Sequence, residues 1–351
     1  MEKFKSKITT NSTDISGTVS AKCPSNIALI KYWGKKDVQI PMNPSLSFTL
    51  NNSYTQTELK FKPQTGGECK IKVFLDNELK EDFAPKIITF FKRIEEFLPF
   101  LNQFEFEINT QNTFPHSSGI ASSASGMGAL ALCLTEMENH LGVNLTEEEK
   151  LKKASFLARL GSGSACRSIY PGITVWGKTS SIVGSSDLYA VPFPYEIHEV
   201  FRNFQDRILL IDEGKKEVSS TVGHKLMENH PYAEQRFLNA EENLKKIILV
   251  LKEGDLEEFG EIVEHEALSL HAMMMTSHPY FILMKPNTLK VIEDIWQFRK
   301  DTSLPLYFTL DAGANVHLLY PEKNKVEIDG FIEQMLKIYC FEGKFIKDFS
   351  F

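Results

Sequence analysis

Cysteine is scarce and unpatterned. Cys23, Cys69, Cys133, Cys166 and Cys340 are the five in 351 residues, an odd number with no C-x-x-C spacing. This excludes a disulfide framework and a zinc knuckle, and fits reduced thiols in the cytoplasm. Long hydrophobic runs are missing as well. No stretch approaches 18 consecutive apolar residues, and the opening MEKFKSKITTNSTDIS has no apolar core of the kind a secretion signal needs, so neither export nor a membrane span is expected. Positive charge is in deficit, with 39 Lys plus Arg against 46 Asp plus Glu and a net charge of -7. Broad binding to nucleic acid or anionic membrane is therefore not expected, and any anionic ligand must meet a local basic cluster. HExxH is absent, as are internal repeats and low-complexity tracts.

What is present is ordinary globular material. Hydrophobic residues make up 42% and charged residues 24%, and the length suits about two domains at roughly 150 residues each. Short β-branched or aromatic runs dominate the first half: 17–23, 45–50, 55–61, 70–74 and 104–108 read as strands of an antiparallel or mixed sheet. Helices are expected at 85–98, at 122–140, and after Thr146, which forms a capping box with Glu149 and starts a run that Gly161 stops. A strand is expected near 172–176. The stretch through Pro192 and Pro194 to Asp206 reads as a crossing, placing a boundary near residue 200 between domains 1–200 and 201–351. Beyond it come a strand at 207–212, helices at 233–252, 256–276 and 286–301, and strands at 306–310 and 316–320.

Four segments can carry chemistry. The loop PHSSGIASSASG, residues 115–126, places small and hydroxyl side chains ahead of a helix, where backbone N–H groups and the helix dipole suit phosphate. No GK[ST] follows it, and a plain serine-rich turn is the alternative. In NIALIKYWGKKD, Lys31, Lys35 and Lys36 crowd Tyr32 and Trp33, as a diphosphate site requires and as a solvated charge run also allows. LGSGSACRSIYPG holds one arginine, Arg167, able to fork onto a carboxylate, within what is equally a helix C-cap and turn. Asp311 stands at the break between two apolar runs, as a base or as a turn former. His265, His271 and His278 share one helical pattern but different faces and read as packing or surface histidines; Met273 to Met275 reads as core or interface filler.

Together NIALIKYWGKKD, NPSLSFTL, FPHSSGIASSASG, SGSACRS, KKEVSSTVG and FTLDAG, in this order, resemble the diphosphomevalonate decarboxylase family of the GHMP superfamily, nearly end to end. The resemblance implies an α+β fold, with a left-handed βαβ unit in the N-terminal domain, a ferredoxin-like C-terminal domain and the active site in the cleft between them. It implies ATP as cosubstrate with Mg²⁺ as its metal ion, mevalonate 5-diphosphate as substrate, isopentenyl diphosphate as product, and a cytoplasmic homodimer without nucleic-acid or membrane partners. A decarboxylase for the monophosphate and a kinase that stops at phosphorylation are the alternatives.

By the same resemblance Asp311, Lys31, Arg167 and Ser220 are catalytic. Tyr32, Trp33, Gly34, Lys35, Ser162, Gly163, Ser164, Ala165, Cys166, Arg167, Thr221 and His224 surround the substrate. Ser117, Ser118, Gly119, Ala121, Ser122, Ser123, Ala124, Ser125 and Lys215, or Lys216 in its place, hold the nucleotide phosphates. Ile120, Pro44 and Ala314 depart from the family pattern without touching reacting groups, and His224 stands where methionine is common. The stretch 75–82 offers only Lys80 where animal members place an arginine for the diphosphate.

Overall fold

The computed structural model describes residues 1–8, 15–64, 69–115, 122–212 and 220–350. The N-terminal strands are β1 (Gly17–Ile30), β2 (Lys35–Asp37), β3 (Ile40–Pro41), β4 (Ser45–Pro63), β5 (Ile71–Leu75), β6 (Glu78–Leu79), β7 (Phe104–Asn112), β8 (Ile173–Trp176) and β9 (Val191–Pro192). Helices α1 (Ala84–Ile94), α2 (Ser122–His140) and α3 (Glu147–Gly161) lie between them in sequence. The later strands are β10 (Phe204–Leu209), β11 (Tyr307–Leu310), β12 (Val316–Tyr320) and β13 (Phe345–Ser350), and the later helices α4 (Ser220–Lys225), α5 (Ala233–Glu253), α6 (Leu256–Met275), α7 (Pro286–Thr302) and α8 (Lys325–Phe331).

One mixed sheet runs through the molecule in the order β11-β12-β10-β13-β4-β7-β5-β6, with β1 and β8 also paired to β4, while β2 and β3 form a separate hairpin. The fold is therefore α+β, as expected. Helices α1, α2 and α3 share one apolar core with β1, β4 and β7, built on Phe61, Phe90, Phe104, Leu134 and Phe156. A second core joins β4 and β8 to β10, α5 and α6 through Phe48, Phe204 and Phe259, and a third sits under α7 and α8. Small residues in α2 have a packing reason: a Cβ on Gly128 would collide with Cys23 Sγ. The α3 capping box forms as expected, with Thr146 Oγ1 accepting from Glu149 N–H and Glu149 Oε2 accepting from Thr146 N–H at 3.0 Å.

Three local expectations are corrected. The runs 45–50 and 55–61 are one strand, because β1 pairs across both while β8 takes the first half and β7 the second. The C-terminal strand β13 was not expected at all; it pairs with β10 and meets β4 at Ser350↔Leu50. Finally, α6 ends at Met275, so His278 is not on the helix that carries His265 and His271.

The first two corrections share a cause. Where β4 changes partners, Asp348 of β13, fully buried, accepts from the N–H groups of Asn51 and Asn52 at 2.9 Å and of Ser53 at 2.7 Å. A carboxylate thus satisfies the amides that lose their ladder partners and ties the C-terminal strands to β4. Asp348→Ala is expected to cost about 2 to 4 kcal/mol in urea unfolding, since the buried Ser53 amide and the part-buried Asn51 and Asn52 amides lose a charged acceptor together. A cost under about 1 kcal/mol would show that the strand is held by pairing alone.

Candidate active site

β1 ends at Ile30, and the chain turns its next residues into a cavity of about 770 Å³ that also receives α2, the segment after α3, and the β11–β12 turn. Lys31 is 1% exposed, and its Nζ lies 3.1 Å from Asp311 Oδ1. Burial pushes the Lys31 ammonium below the usual lysine range, and the Asp311 carboxylate opposes that. The pair joins residues 280 positions apart, and both line the cavity.

Arg167 sits on the short helical turn Gly163–Ile169. Its Nε and Nη2 donate to Asn26 Oδ1 at 3.4 and 3.3 Å, and Nη1 donates to Ser45 Oγ. Among the described residues no carboxylate pairs with it. A guanidinium has five N–H donors, so a fork aimed by neutral partners keeps donors for an anion in the cavity. Tyr32 Oη and Trp33 Nε1 are buried without hydrogen-bond partners among the described residues, and both residues line the same space. Gly163 permits this closeness, since a Cβ there would meet Tyr32 Oη at 2.9 Å.

Gly34, at φ +91°, donates its N–H to His224 Nδ1 at 3.0 Å, and the His224 ring lies against Tyr32 and Trp33. With Nδ1 accepting, the neutral ring carries its proton on Nε2. Burial, with Lys35 and Arg167 nearby, holds this histidine well below its usual range. Half-buried Lys35 is pushed down to about 8 by burial and by Arg93.

At the other end, Ser122, Ser123, Ala124 and Gly126 of α2 line the cavity, and Lys86 of α1 donates to Ser123 Oγ at 2.9 Å. Val73, Ile108, Thr55 and Asn112 extend the wall. A helix start with a cation beside it and a mixed apolar and polar wall fits a nucleotide with its phosphates. Among the described residues Asp82 and Asp311 are the carboxylates lining the cavity, and no group of three metal-ligating side chains occurs. These donors suit a Mg²⁺ ion that arrives on the phosphates of its nucleotide rather than one held in a protein cage.

The structure thus brings Lys31, Tyr32, Trp33, Lys35, Ser162, Gly163, Ser164, Arg167, His224, Asp311, Ser122, Ser123 and Ala124 to one cavity. Other expected residues do not line it. Gly34 contributes through its N–H to His224. Ala165 belongs to the apolar core, Cys166 is buried with its thiol pushed up to about 12 and donating to Gly163 O, and Ser125 is turned onto Thr55 Oγ1 at 2.7 Å. A tight helical turn brings residues three apart to one side, as with Ser164 and Arg167, so consecutive positions cannot all face the cavity. Lys80 pairs with exposed Glu78, and the cation reaching the cavity next to this region is Lys86, in the first turn of α1. Ser117, Ser118, Gly119, Ala121, Lys215 and Lys216, and the side chains of Ser220 and Thr221, lie outside the described residues.

Sequence reasoning missed Asn26, Ser45, Asn43 and Arg159. Asn43 Nδ2 donates to Lys31 O at 3.0 Å, and Arg159 holds the carbonyls of Val38 and Gln39, tying down the β2–β3 hairpin. Asn43 and Ser45 are inside the quoted NPSLSFTL, but nothing local to that string says which backbone it braces. One formal pattern is refuted: Gly172 to Thr179 matches GxxxxGK[ST], yet its middle is buried strand β8 and not a loop.

Comparison with known proteins agrees with this geometry. Residues 23–190 match the diphosphomevalonate decarboxylase-like N-terminal domain, and residues 207–349 match the mevalonate 5-diphosphate decarboxylase C-terminal domain. A diphosphomevalonate decarboxylase of Debaryomyces hansenii is 29% identical over 335 residues, covering 90% of this chain and 82% of that protein. The mevalonate diphosphate decarboxylase structure from Staphylococcus aureus superposes with a TM-score of 0.81 at 31% identity, covering 96% of each chain. A solved complex with MVAPP, AMPPCP and magnesium matches at the same TM-score of 0.81 and 31% identity, covering 96% of this chain and 97% of that one. With the buried Lys31–Asp311 pair and the aimed Arg167 in one cavity, these matches establish that the chain belongs to the diphosphomevalonate decarboxylase family.

Proposed function

We propose that this enzyme converts mevalonate 5-diphosphate and ATP to isopentenyl diphosphate, ADP, phosphate and carbon dioxide. The observation that carries this is the convergence in one cavity of Asp311 on Lys31, of the Arg167 fork, which no carboxylate pairs among the described residues, and of the start of α2. Hydroxide is a poor leaving group from a β-hydroxy acid, so the hydroxyl must first be phosphorylated. Asp311 orients the C3 hydroxyl and accepts its proton as the γ-phosphoryl group of Mg-ATP is transferred to its oxygen. The C–O bond then breaks and phosphate leaves with its electron pair. The substrate carboxylate, held by Arg167, releases carbon dioxide and leaves its bonding electrons in the new double bond. Lys31 offsets the negative charge gathering around Asp311 and the transferring group.

The remaining assignments follow the same reading. Lys35, Tyr32, Trp33, His224 and the Ser162–Ser164 turn take the diphosphate; Ser122 to Ala124, with 117–121, Ser220, Thr221 and Lys215 or Lys216, take the nucleotide phosphates. We divide the chain near residue 200 into an N-terminal unit, 1–200, carrying Lys31, Arg167 and α2, and a C-terminal unit, 201–351, carrying Asp311. We place the enzyme in the cytoplasm as a homodimer, a reading supported by its scattered free thiols and by its family.

Asp311→Asn keeps the turn but removes the proton acceptor. Its kcat should fall by about 10² to 10⁴-fold with little change in either KM, and carbon dioxide and phosphate should fall together. A stable phosphorylated product that is not decarboxylated would move Asp311 to the later step. Arg167→Lys should fold but lose most of its kcat, because an ammonium cannot satisfy Asn26 and Ser45 and still present a planar fork; near-parental turnover would reduce Arg167 to a packing residue.

Lys35 must be charged to hold phosphate, and it loses its proton as pH rises through about 8. The ratio kcat/KM for mevalonate 5-diphosphate should therefore decline above that pH, and Lys35→Arg should abolish the decline. The same assay with mevalonate 5-phosphate, which lacks the second phosphate, tests the substrate. Equal kcat/KM for the two would overturn the diphosphate assignment.

A further inference from the structure

The residues that place Lys31 and Asp311 are on the same helix. Lys31 follows the last paired residue of β1, and its N–H donates to Glu266 Oε2 of α6 at 2.8 Å. Glu266 is fully buried and is itself fixed, accepting from Arg236 Nη2 at 2.6 Å, from Arg236 Nη1 at 3.1 Å and from Asn243 Nδ2 at 2.8 Å. Five residues along α6, His271, 1% exposed, has Nε2 3.1 Å from the backbone oxygen of Asp311. A carbonyl only accepts, so the ring donates from Nε2. The helix packs against both β1 and β11, the strands that end one residue before Lys31 and Asp311.

We propose that α6 sets the separation between Lys31 and Asp311, with Glu266 and His271 as positioning residues that hold the backbones of the lysine and the aspartate. Neither touches the reacting atoms. Both act through the residue they hold: a five-residue step on a rigid helix spans about 7.5 Å and fixes the distance between the two backbone anchors. A displacement of about 1 Å at a reacting group is enough to cost on the order of 10²-fold in rate.

The proposal rests on the decarboxylase reading above, and the test separates the two. Turnover of mevalonate 5-diphosphate by the parent enzyme tests that reading. His271→Leu tests the positioning: kcat should drop about 10 to 100-fold with both KM values within about threefold, while His271→Gln, whose amide N–H reaches the same carbonyl, should recover most of the loss. In the Asp311→Asn background His271→Leu should add little, because a residue acting through Asp311 has nothing left to position. A kcat for His271→Leu within about twofold of the parent, a Gln variant no better than Leu, or fully multiplicative losses would overturn the proposal.

If His271→Leu does not fold, His271→Asn, too short to reach the carbonyl, replaces it in the comparison with His271→Gln. Glu266→Gln should show the same split between kcat and KM. A crystal structure of the His271 variant reads the geometry without turnover. The Lys31 Nζ to Asp311 Oδ1 contact should open beyond hydrogen-bond distance, and an unchanged contact would refute the role of His271.

Discussion

A lysine ammonium that is 1% exposed must meet negative charge, and for Lys31 that charge is Asp311, supplied from the other end of the chain. The cost of taking an ammonium out of water, visible in the lowered proton affinity of Lys31, is offset only while the carboxylate stays within reach. The fold is arranged around keeping it there. β4 carries N-terminal strands on both of its edges and meets β13 at Leu50, Asp348 closes the seam, and α6 braces the ends of β1 and β11 at once. Loss of alignment between the two halves of the chain would leave a buried charge unpaired.

The same economy of charge explains how an acidic protein takes anionic substrates. Lys31, Lys35, Lys86 and Arg167 line the cavity against the carboxylates of Asp82 and Asp311. Among the described residues, the cations lining it outnumber the carboxylates four to two. Burial makes Lys31, Lys35 and Arg167 stronger partners for phosphate than a surface lysine, and Arg167, aimed by Asn26 and Ser45 and paired with no carboxylate among the described residues, keeps its charge for the ligand. His224 stays neutral among these cations and offers an N–H without adding charge.

Legibility in the sequence followed the range of the interactions. The start of α3 was readable because a capping box is written in four consecutive residues. Asp311, Arg167 and the lysine cluster were readable because a charged residue inside an apolar or glycine-rich string has few bland explanations. The single strand β4 was not readable: Asn51 and Asn52 look like a turn until Asp348, almost 300 positions later, accepts their amides. Lys86 looked like one of many helix-surface lysines, and the inward turning of Ala165 and Cys166 depended on a short helical turn with no periodic signal.

By itself the sequence determined the chemical inventory and its class: which side chains can carry positive charge, which can take a proton, where a phosphate loop can form, and that the apolar content suffices for an α+β core. These are properties of residue types and short spacings. Only the tertiary structure decided which of those groups meet. The Lys31–Asp311 contact, the aim of Arg167, and the hydrogen bonds of Glu266 and His271 to the Lys31 and Asp311 backbones join residues from 40 to 280 positions apart. Such pairings arise from sheet order and helix packing, because a hydrogen bond is set by distances of about 3 Å that no local pattern encodes.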